Sequence, residues 1–218
     1  MNFDICHSDP MVEIIPSINV PTFEEVKERI ARVEPYAAWC HLDITDGIFS
    51  MHPTWHDPAN LPELTTNLKA EAHLMVAEPE KVIERWFVEP VKRIIVHLEA
   101  AKDINFIIQK CRGAGIEIGL AIHPETPWSA LEPWCGKVDL FLVLTVKPGP
   151  SGQKMHEESF DKVSHLHRVC SSGKIEIDGG INPETAQKAK EAGADILVAG
   201  AYIFNSQDIA FAIQSLLK

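Results

Sequence analysis

The sequence predicts a parallel α/β protein closed into a single (β/α)8 TIM barrel. Short β-branched or aliphatic runs alternate with amphipathic, helix-like stretches along the 218 residues. The alternation repeats eight times, the number such a barrel needs. Several runs are almost wholly apolar, among them Phe141-Leu142-Val143-Leu144 and Ile94-Ile95-Val96, as strands covered on both faces are. No charge run, low-complexity stretch or Gly/Ser linker divides the chain, so residues 1–218 read as one domain. An open doubly wound sheet is the alternative. It would want G-x-G-x-x-G after its first strand, where this chain has Ile15-Pro16-Ser17-Ile18-Asn19 and no glycine.

The predicted strands are 12–19, 38–43, 69–76, 93–99, 117–123, 139–146, 174–178 and 195–200. Thr22 followed by Glu25 is a capping-box signal that opens a helix over 23–33. Helical apolar spacing recurs at 80–87, 104–112 and 161–169. Asn182-Pro183 places an N-cap and a first-turn proline before 184–192, and Gly193 ends that helix. Ser206 is placed to cap a last helix over 209–217. After Asp46 the prolines at 53, 58 and 62 predict a long loop with one short helix.

The chain has 20 Lys plus Arg against 31 Asp plus Glu, a formal net charge of −11. That balance argues against nucleic acid or an anionic membrane as a partner, and leaves room for a small anion at a local site. No apolar run approaches the roughly 20 residues a bilayer span needs. The start, Met1 to Cys6, has no basic region and no long apolar region, so no signal peptide is expected. Five scattered cysteines (Cys6, Cys40, Cys111, Cys135, Cys170) form no C-x-x-C pair and are odd in number. They read as reduced thiols in the cytoplasm.

Barrel chemistry sits at the C-terminal strand ends. His41 and Asp43 are two apart on one strand and so share a side. His73 and Asp178 hold similar places on other strands. Together they would make a site for one divalent metal ion: Zn²⁺, Fe²⁺, Mn²⁺ or Co²⁺. Asp178-Gly179-Gly180, Ala199-Gly200-Ala201 and Pro148-Gly149-Pro150-Ser151-Gly152-Gln153 are small-residue loops on consecutive units. Such loops cradle a phosphate with backbone N–H groups. His97 and Glu99 share a strand face, either backing the site or forming an interior pair. His52 and His56 lie in a Pro-rich loop, and Trp86, Trp128 and Trp134 read as packing residues.

These residues resemble the ribulose-phosphate 3-epimerase family. The family's H-L-D-x-M-D-G is similar to 41–47, its H-L-M-V to 73–76 and its P-x-T-P segment to 119–127. Its V-N-P-G-x-G-G-Q is similar to 146–153, its D-G-G-(V/I)-N to 178–182 and its V-A-G-S-x-I-F to 198–204. The resemblance implies that His41, Asp43, His73 and Asp178 hold the metal, with Asp43 and Asp178 also the acid/base pair. It implies interconversion of D-ribulose 5-phosphate and D-xylulose 5-phosphate through a cis-enediolate, in pentose phosphate metabolism, carbon fixation or a specialised sugar route. It implies substrate contacts from Ser17, His73, Met75, Gly149, Gly152, Gly179, Gly180, Gly200 and Ala201. It also implies a homo-oligomer, a dimer or a hexamer.

The chain departs from that pattern at several positions. Thr45 and Leu144 stand where the family has Met, and Asn19 where it has Leu. Lys147 and His123 replace Asn, Pro150-Ser151 replaces Phe-Gly, and Ala201 replaces Ser. Asn19 and Thr45 could contact a longer sugar, and Lys147 is either a phosphate cation or a salt-bridged loop lysine. An epimerase for D-allulose 6-phosphate and a non-catalytic sugar-phosphate-binding barrel are therefore alternatives. Related lyase barrels carry D-x-K-x-x-D on a strand, a lysine this chain lacks after His41-Leu42-Asp43.

Overall fold

The computed structural model describes residues 12–150 and 152–218. The expectations on Met1 to Cys6 and on Ser151 lie outside the described residues. Eight parallel strands close in sequence order. They are β1 (Glu13–Ile18), β2 (Trp39–Thr45), β3 (Lys69–Met75), β4 (Val91–His97), β5 (Glu117–Ile122), β6 (Leu140–Leu144), β7 (Lys174–Asp178) and β8 (Ile196–Ala199). β1 pairs with both β2 and β8, which seals the barrel.

The helices α1 (Phe23–Val33), α2 (Pro79–Val82), α3 (Ile104–Ala114), α4 (Ser159–Val169), α5 (Pro183–Ala192), α6 (Ala201–Phe204) and α7 (Ile209–Leu217) follow the strands. α1 shows why they lie where they do. Phe23, Val26, Ile30 and Val33 are buried, a three-to-four spacing that gives one apolar stripe against the sheet. Each such side chain contributes about 1.5–3 kcal/mol on burial. Thr22 Oγ1 accepts the Glu25 N–H at its start. Asn182 accepts from Glu184 and Thr185 and completes a capping box at α5, which Gly193 ends in a left-handed turn.

Three local expectations are corrected. The helix expected over 80–87 is a four-residue α-turn continued by a 3₁₀ helix, Ile83–Trp86. Asp208, not Ser206, caps α7 by accepting the Phe211 N–H; Ser206 makes the turn before it. Cys135 and Cys170 form a disulfide, with Cα atoms 5.0 Å apart, so the expectation of five reduced thiols fails. The two are 35 residues apart in sequence. Cys135 precedes β6 and Cys170 follows α4, and the return of the β6–α4 unit brings them together. Cys40 and Cys111 are free and buried, as expected of small core residues.

The described residues form two apolar cores. The larger lies between strands and helices and includes Trp86, with Trp128 and Trp134 packed on it. The smaller fills the barrel lumen: Ile15, Trp39, Ile95, Ala121, Leu140, Leu142, Leu144, Ile196 and Val198. Among the described residues no helix is long and apolar enough to cross a membrane.

Candidate active site

Alternation along each strand sends every second residue into the lumen. On β2 these are Trp39, His41 and Asp43; on β3, Glu71, His73 and Met75; on β7, Glu176 and Asp178. Register sets Asp43 beside His73 and Leu144 beside Asp178. His41, Asp43, His73 and Asp178 meet at the C-terminal mouth, each offering a ligand atom within 4.8 Å of the others. His41 Nε2 lies 3.1 Å from His73 Nδ1, 3.4 Å from Asp43 Oδ1 and 4.0 Å from Asp178 Oδ2. His73 Nδ1 is 3.5 Å from Asp43 Oδ1. Two imidazole nitrogens and two carboxylate oxygens in a buried cluster suit a borderline divalent cation.

Buried partners aim both imidazoles. His41 Nδ1 is 2.7 Å from Glu71 Oε1. Arg93 Nη1 donates to Glu71 Oε2 at 2.6 Å and its Nε donates to Glu117 at 2.8 Å. Arg93 also lies over the Trp39 ring, 4.5 Å from its centroid. Glu71 therefore accepts the His41 Nδ1–H and turns Nε2 toward the cluster. On the other side, His73 Nε2 lies 2.9 Å from His97 Nε2, and His97 Nδ1 lies 3.3 Å from Glu99. Burial opposes ionisation of Glu99, yet bonds from His97, Thr126 and the His123 N–H hold its carboxyl down at about 2. Glu99 is thus an acceptor, so His97 carries its proton on Nδ1. His97 Nε2 then accepts from His73 Nε2–H, and the lone pair of His73 Nδ1 faces the cluster. Burial pushes the His97 imidazole down to about 3, so this ring is neutral.

The two carboxylates are unlike. Burial pushes the Asp178 carboxyl up to about 7, with the charge of Asp43 adding to it. Burial acts on Asp43 the same way, but bonds with His41 and His73 override it and hold the carboxyl well below its usual range. Ser17 Oγ donates to Asp43 Oδ2 at 2.6 Å, and Asn19 Nδ2 is 3.4 Å from the same oxygen. His41, between Asp43 and Glu71, keeps its proton well above the ordinary imidazole value although burial opposes this. Uptake of a cation would displace that proton.

A cavity opens over this cluster. Ser17, Asp43, Met75 and Asp178 line it together with Gly149, Gly152, Gly179, Gly180, Gly200 and Ala201. Leu144 and Val198 form its apolar wall. His73 is fully buried and is absent from the lining. Gly179 has φ +107°, and a Cβ there would lie 2.6 Å from Thr145 Oγ1. The backbone passes too close to β6 for any side chain. Asn19 Nδ2 donates to the Gly149 carbonyl at 3.2 Å and Ser50 Oγ to the Pro148 carbonyl at 3.0 Å, so the loop after β6 is tied down from two sides.

Thr45 does not face the cavity. It is fully buried, donates to the His52 carbonyl and accepts the Thr54 N–H at 2.9 Å. Its hydroxyl anchors the loop after β2, which removes the sugar contact considered for it. Lys147 lines the cavity rim with an exposed ammonium 3.9 Å from Glu125. His56 Nδ1 is 2.7 Å from the Thr54 carbonyl, and among the described residues neither His52 nor His56 joins a metal-capable group. The buried Glu71–Arg93 pair, its extension to the exposed Glu117, and the buried Glu176 were not foreseen. Glu71 and Glu176 stand two residues before His73 and Asp178, so strand alternation carried the signal.

A closed parallel barrel with two imidazoles, two carboxylates of unlike proton affinity and a glycine-lined cavity at one mouth defines a class: barrel enzymes built for acid/base chemistry on a small ligand. The chain belongs to the ribulose-phosphate 3-epimerase family, whose model matches residues 13–204. It is 33% identical over 214 residues to ribulose-phosphate 3-epimerase of Bacillus subtilis (strain 168), covering 94% of this chain and 98% of that one. It is 34% identical over 198 residues to the enzyme of that name from Treponema pallidum (strain Nichols), covering 88% and 91%. With the chloroplastic ribulose-5-phosphate-3-epimerase of Arabidopsis thaliana it shares 34% identity over 212 residues, 93% of this chain and 75% of that one. The chain is therefore an isomerase of the epimerase class. Solved barrels match its fold alone. A 3-hexulose-6-phosphate synthase does so at TM-score 0.68 and 14% identity, over 94% of this chain and 98% of that one. KGPDC from Streptococcus mutans does so at TM-score 0.71 and 11% identity, over 94% and 95%.

Proposed function

We propose that this chain interconverts D-ribulose 5-phosphate and D-xylulose 5-phosphate, one of Asp43 and Asp178 removing the C3 proton and the other returning a proton to the opposite face. The observation that carries the reading is that Asp43 and Asp178, from β2 and β7, meet at one cavity beside His41 and His73. Asp43 is ionised and fit to remove a proton. Asp178 is fit to hold one near neutral pH and deliver it. Removal on one face of C3 and delivery on the other inverts that carbon through a cis-enediolate. In the reverse direction the roles exchange.

His41, Asp43, His73 and Asp178 would hold one divalent metal ion, Zn²⁺, Fe²⁺, Mn²⁺ or Co²⁺. Bound there, it would supply electrostatic stabilisation for the negative charge that develops on the substrate oxygens. The residues fit this role: all four are buried or nearly so, and Glu71 and His97 set the lone pairs of both imidazoles. Ser17 keeps Asp43 in place by a hydrogen bond. Met75, Leu144 and Val198 exclude water from the reacting carbon. The backbone at Gly149, Gly152, Gly179, Gly180, Gly200 and Ala201 would receive the phosphate.

The whole chain, 1–218, is proposed to act as this one barrel unit. A cytoplasmic place in pentose phosphate metabolism follows from the proposed substrate, since a phosphorylated sugar does not cross membranes unaided. The cysteines no longer support it. Self-assembly into a dimer or hexamer draws support from Phe211 and Leu217, exposed on α7.

Proton NMR of D-ribulose 5-phosphate in D₂O with metal-loaded protein tests the reading. Loss of the C3 proton signal together with appearance of xylulose 5-phosphate is expected. Absence of both would overturn the substrate assignment, and turnover of D-allulose 6-phosphate instead would move it to six-carbon ketoses.

A further inference from the structure

A second group of metal-capable side chains lies one strand away from the first. His97 ends β4, Glu99 follows it, and His123 follows β5. Each offers a ligand atom within 4.8 Å of the others. The His97 and His123 rings meet edge to face with centroids 4.7 Å apart. None of the three lines the substrate cavity. Phe49 packs against two of them, its ring 4.9 Å from His97 and 5.1 Å from His123. Asp46 positions Phe49 by accepting its backbone N–H at 2.9 Å.

Two details point to a ligand here. His123 Nε2 is buried and has no hydrogen-bond partner, and a buried polar atom left alone is costly. The other partners are already held in place. Glu99 Oε1 accepts the His123 N–H at 2.9 Å and the Thr126 hydroxyl, which leaves Oε2 toward His97. The Lys162 ammonium binds the carbonyls of His123, Pro124 and Thr126 at 3.1, 2.5 and 2.5 Å and fixes the loop that carries His123.

We infer that His97, Glu99 and His123 form a second divalent-cation site, distinct from the four-ligand cluster and antagonistic to it. Two imidazoles and one carboxylate suit Zn²⁺ or Co²⁺. The antagonism follows from His97. To give its Nδ1 lone pair to a cation it must carry its proton on Nε2, toward His73. His73 Nε2 then becomes the acceptor, its proton sits on Nδ1, and His73 is lost to the first cluster. His123, which stands where the family pattern has Asn, makes this site a property of this chain.

Metal-free protein is titrated with Zn²⁺ by equilibrium dialysis and with Co²⁺ by visible absorption. The wild type is expected to take one tight equivalent and a second, weaker one. His123→Asn is expected to take one, with unchanged turnover at stoichiometric metal. Turnover of the wild type should fall at least tenfold as the second equivalent binds, and that of His123→Asn should not. Asp178→Asn should lose the tight step and keep the weak one, which separates this site from the first. Saturation of the wild type at one equivalent would overturn the inference. So would a second equivalent that persists in His123→Asn, or in His123→Gln should the Asn variant not fold.

Discussion

The two halves of the barrel lumen are built on opposite principles. β2, β3, β4 and β7 send in His41, Glu71, His73, Arg93, His97 and Glu176, all buried. β5, β6 and β8 send in Ala121, Leu140, Leu142, Leu144, Ile196 and Val198, joined by Ile15 from β1, Trp39 from β2 and Ile95 from β4. The polar half orients ligand side chains, since every imidazole there has a partner on its outer nitrogen. The apolar half orients nothing. It lowers the local dielectric, which keeps Asp178 protonated to about 7 and strengthens each charge interaction across the lumen. The proposed chemistry sits where the halves meet, at Asp43 and Asp178.

The contrast between the halves is broken most sharply at Asp178. Asp178→Asn keeps shape and removes a proton carrier and a metal ligand, so turnover should fall by about 10²–10⁴, with an unchanged thermal midpoint when both proteins are compared metal-free. Near-normal steady-state rates would show that the unlike carboxylates are not the acid and base. Arg93→Met should cost about 3–5 kcal/mol in a denaturant titration, because the buried Glu71 keeps His41 but loses the guanidinium on its other oxygen. It should also weaken metal binding, through loss of the His41 anchor. Leu142→Ala in the apolar half should cost about 2–5 kcal/mol as a cavity and leave metal affinity unchanged. Equal loss of metal affinity in both variants would erase the distinction between the halves.

Two smaller effects depend on pH. In the metal-free protein His41 holds its proton above its ordinary 6.5, and a cation must displace it. Metal affinity, read by competition with a chelator, should fall about tenfold per pH unit below that raised value. Glu176 is the opposite case. Burial and then the charge of Glu71 raise its carboxyl well above 4.5, so the folded state holds a proton that the unfolded state releases. Stability should therefore decline as pH rises above 4.5, by up to about 1.4 kcal/mol per unit, until the folded value is passed. Glu176→Gln should change stability at neutral pH by less than about 1 kcal/mol and flatten that slope.

Much of the site was legible because strand ends carry it. His41 and Asp43 share a face by simple alternation, and the glycine loops mark close backbone approach wherever the strands end. Thr45 shows the limit. Its hydroxyl could have faced a sugar, but the path of the loop after β2 turned it to Thr54 and the His52 carbonyl. Glu71 and Glu176 had the right spacing, yet local sequence says nothing about which strand lies opposite. The disulfide between Cys135 and Cys170 was invisible for the same reason, since no short motif encodes a pairing across a βα unit.

Residue order alone settles the alternation of strand and helix, the caps at Thr22 and Asn182, and the residue types at each strand end. These follow from local rules: periodicity, backbone preference and capping. Closure of eight strands decided the rest. It set His41 Nε2 3.1 Å from His73 Nδ1, put Glu71, Arg93 and Glu117 into one chain of ion pairs, and gave Asp43 and Asp178 their different proton affinities. A proton affinity depends on burial and on neighbours from other strands, and only the folded barrel supplies both.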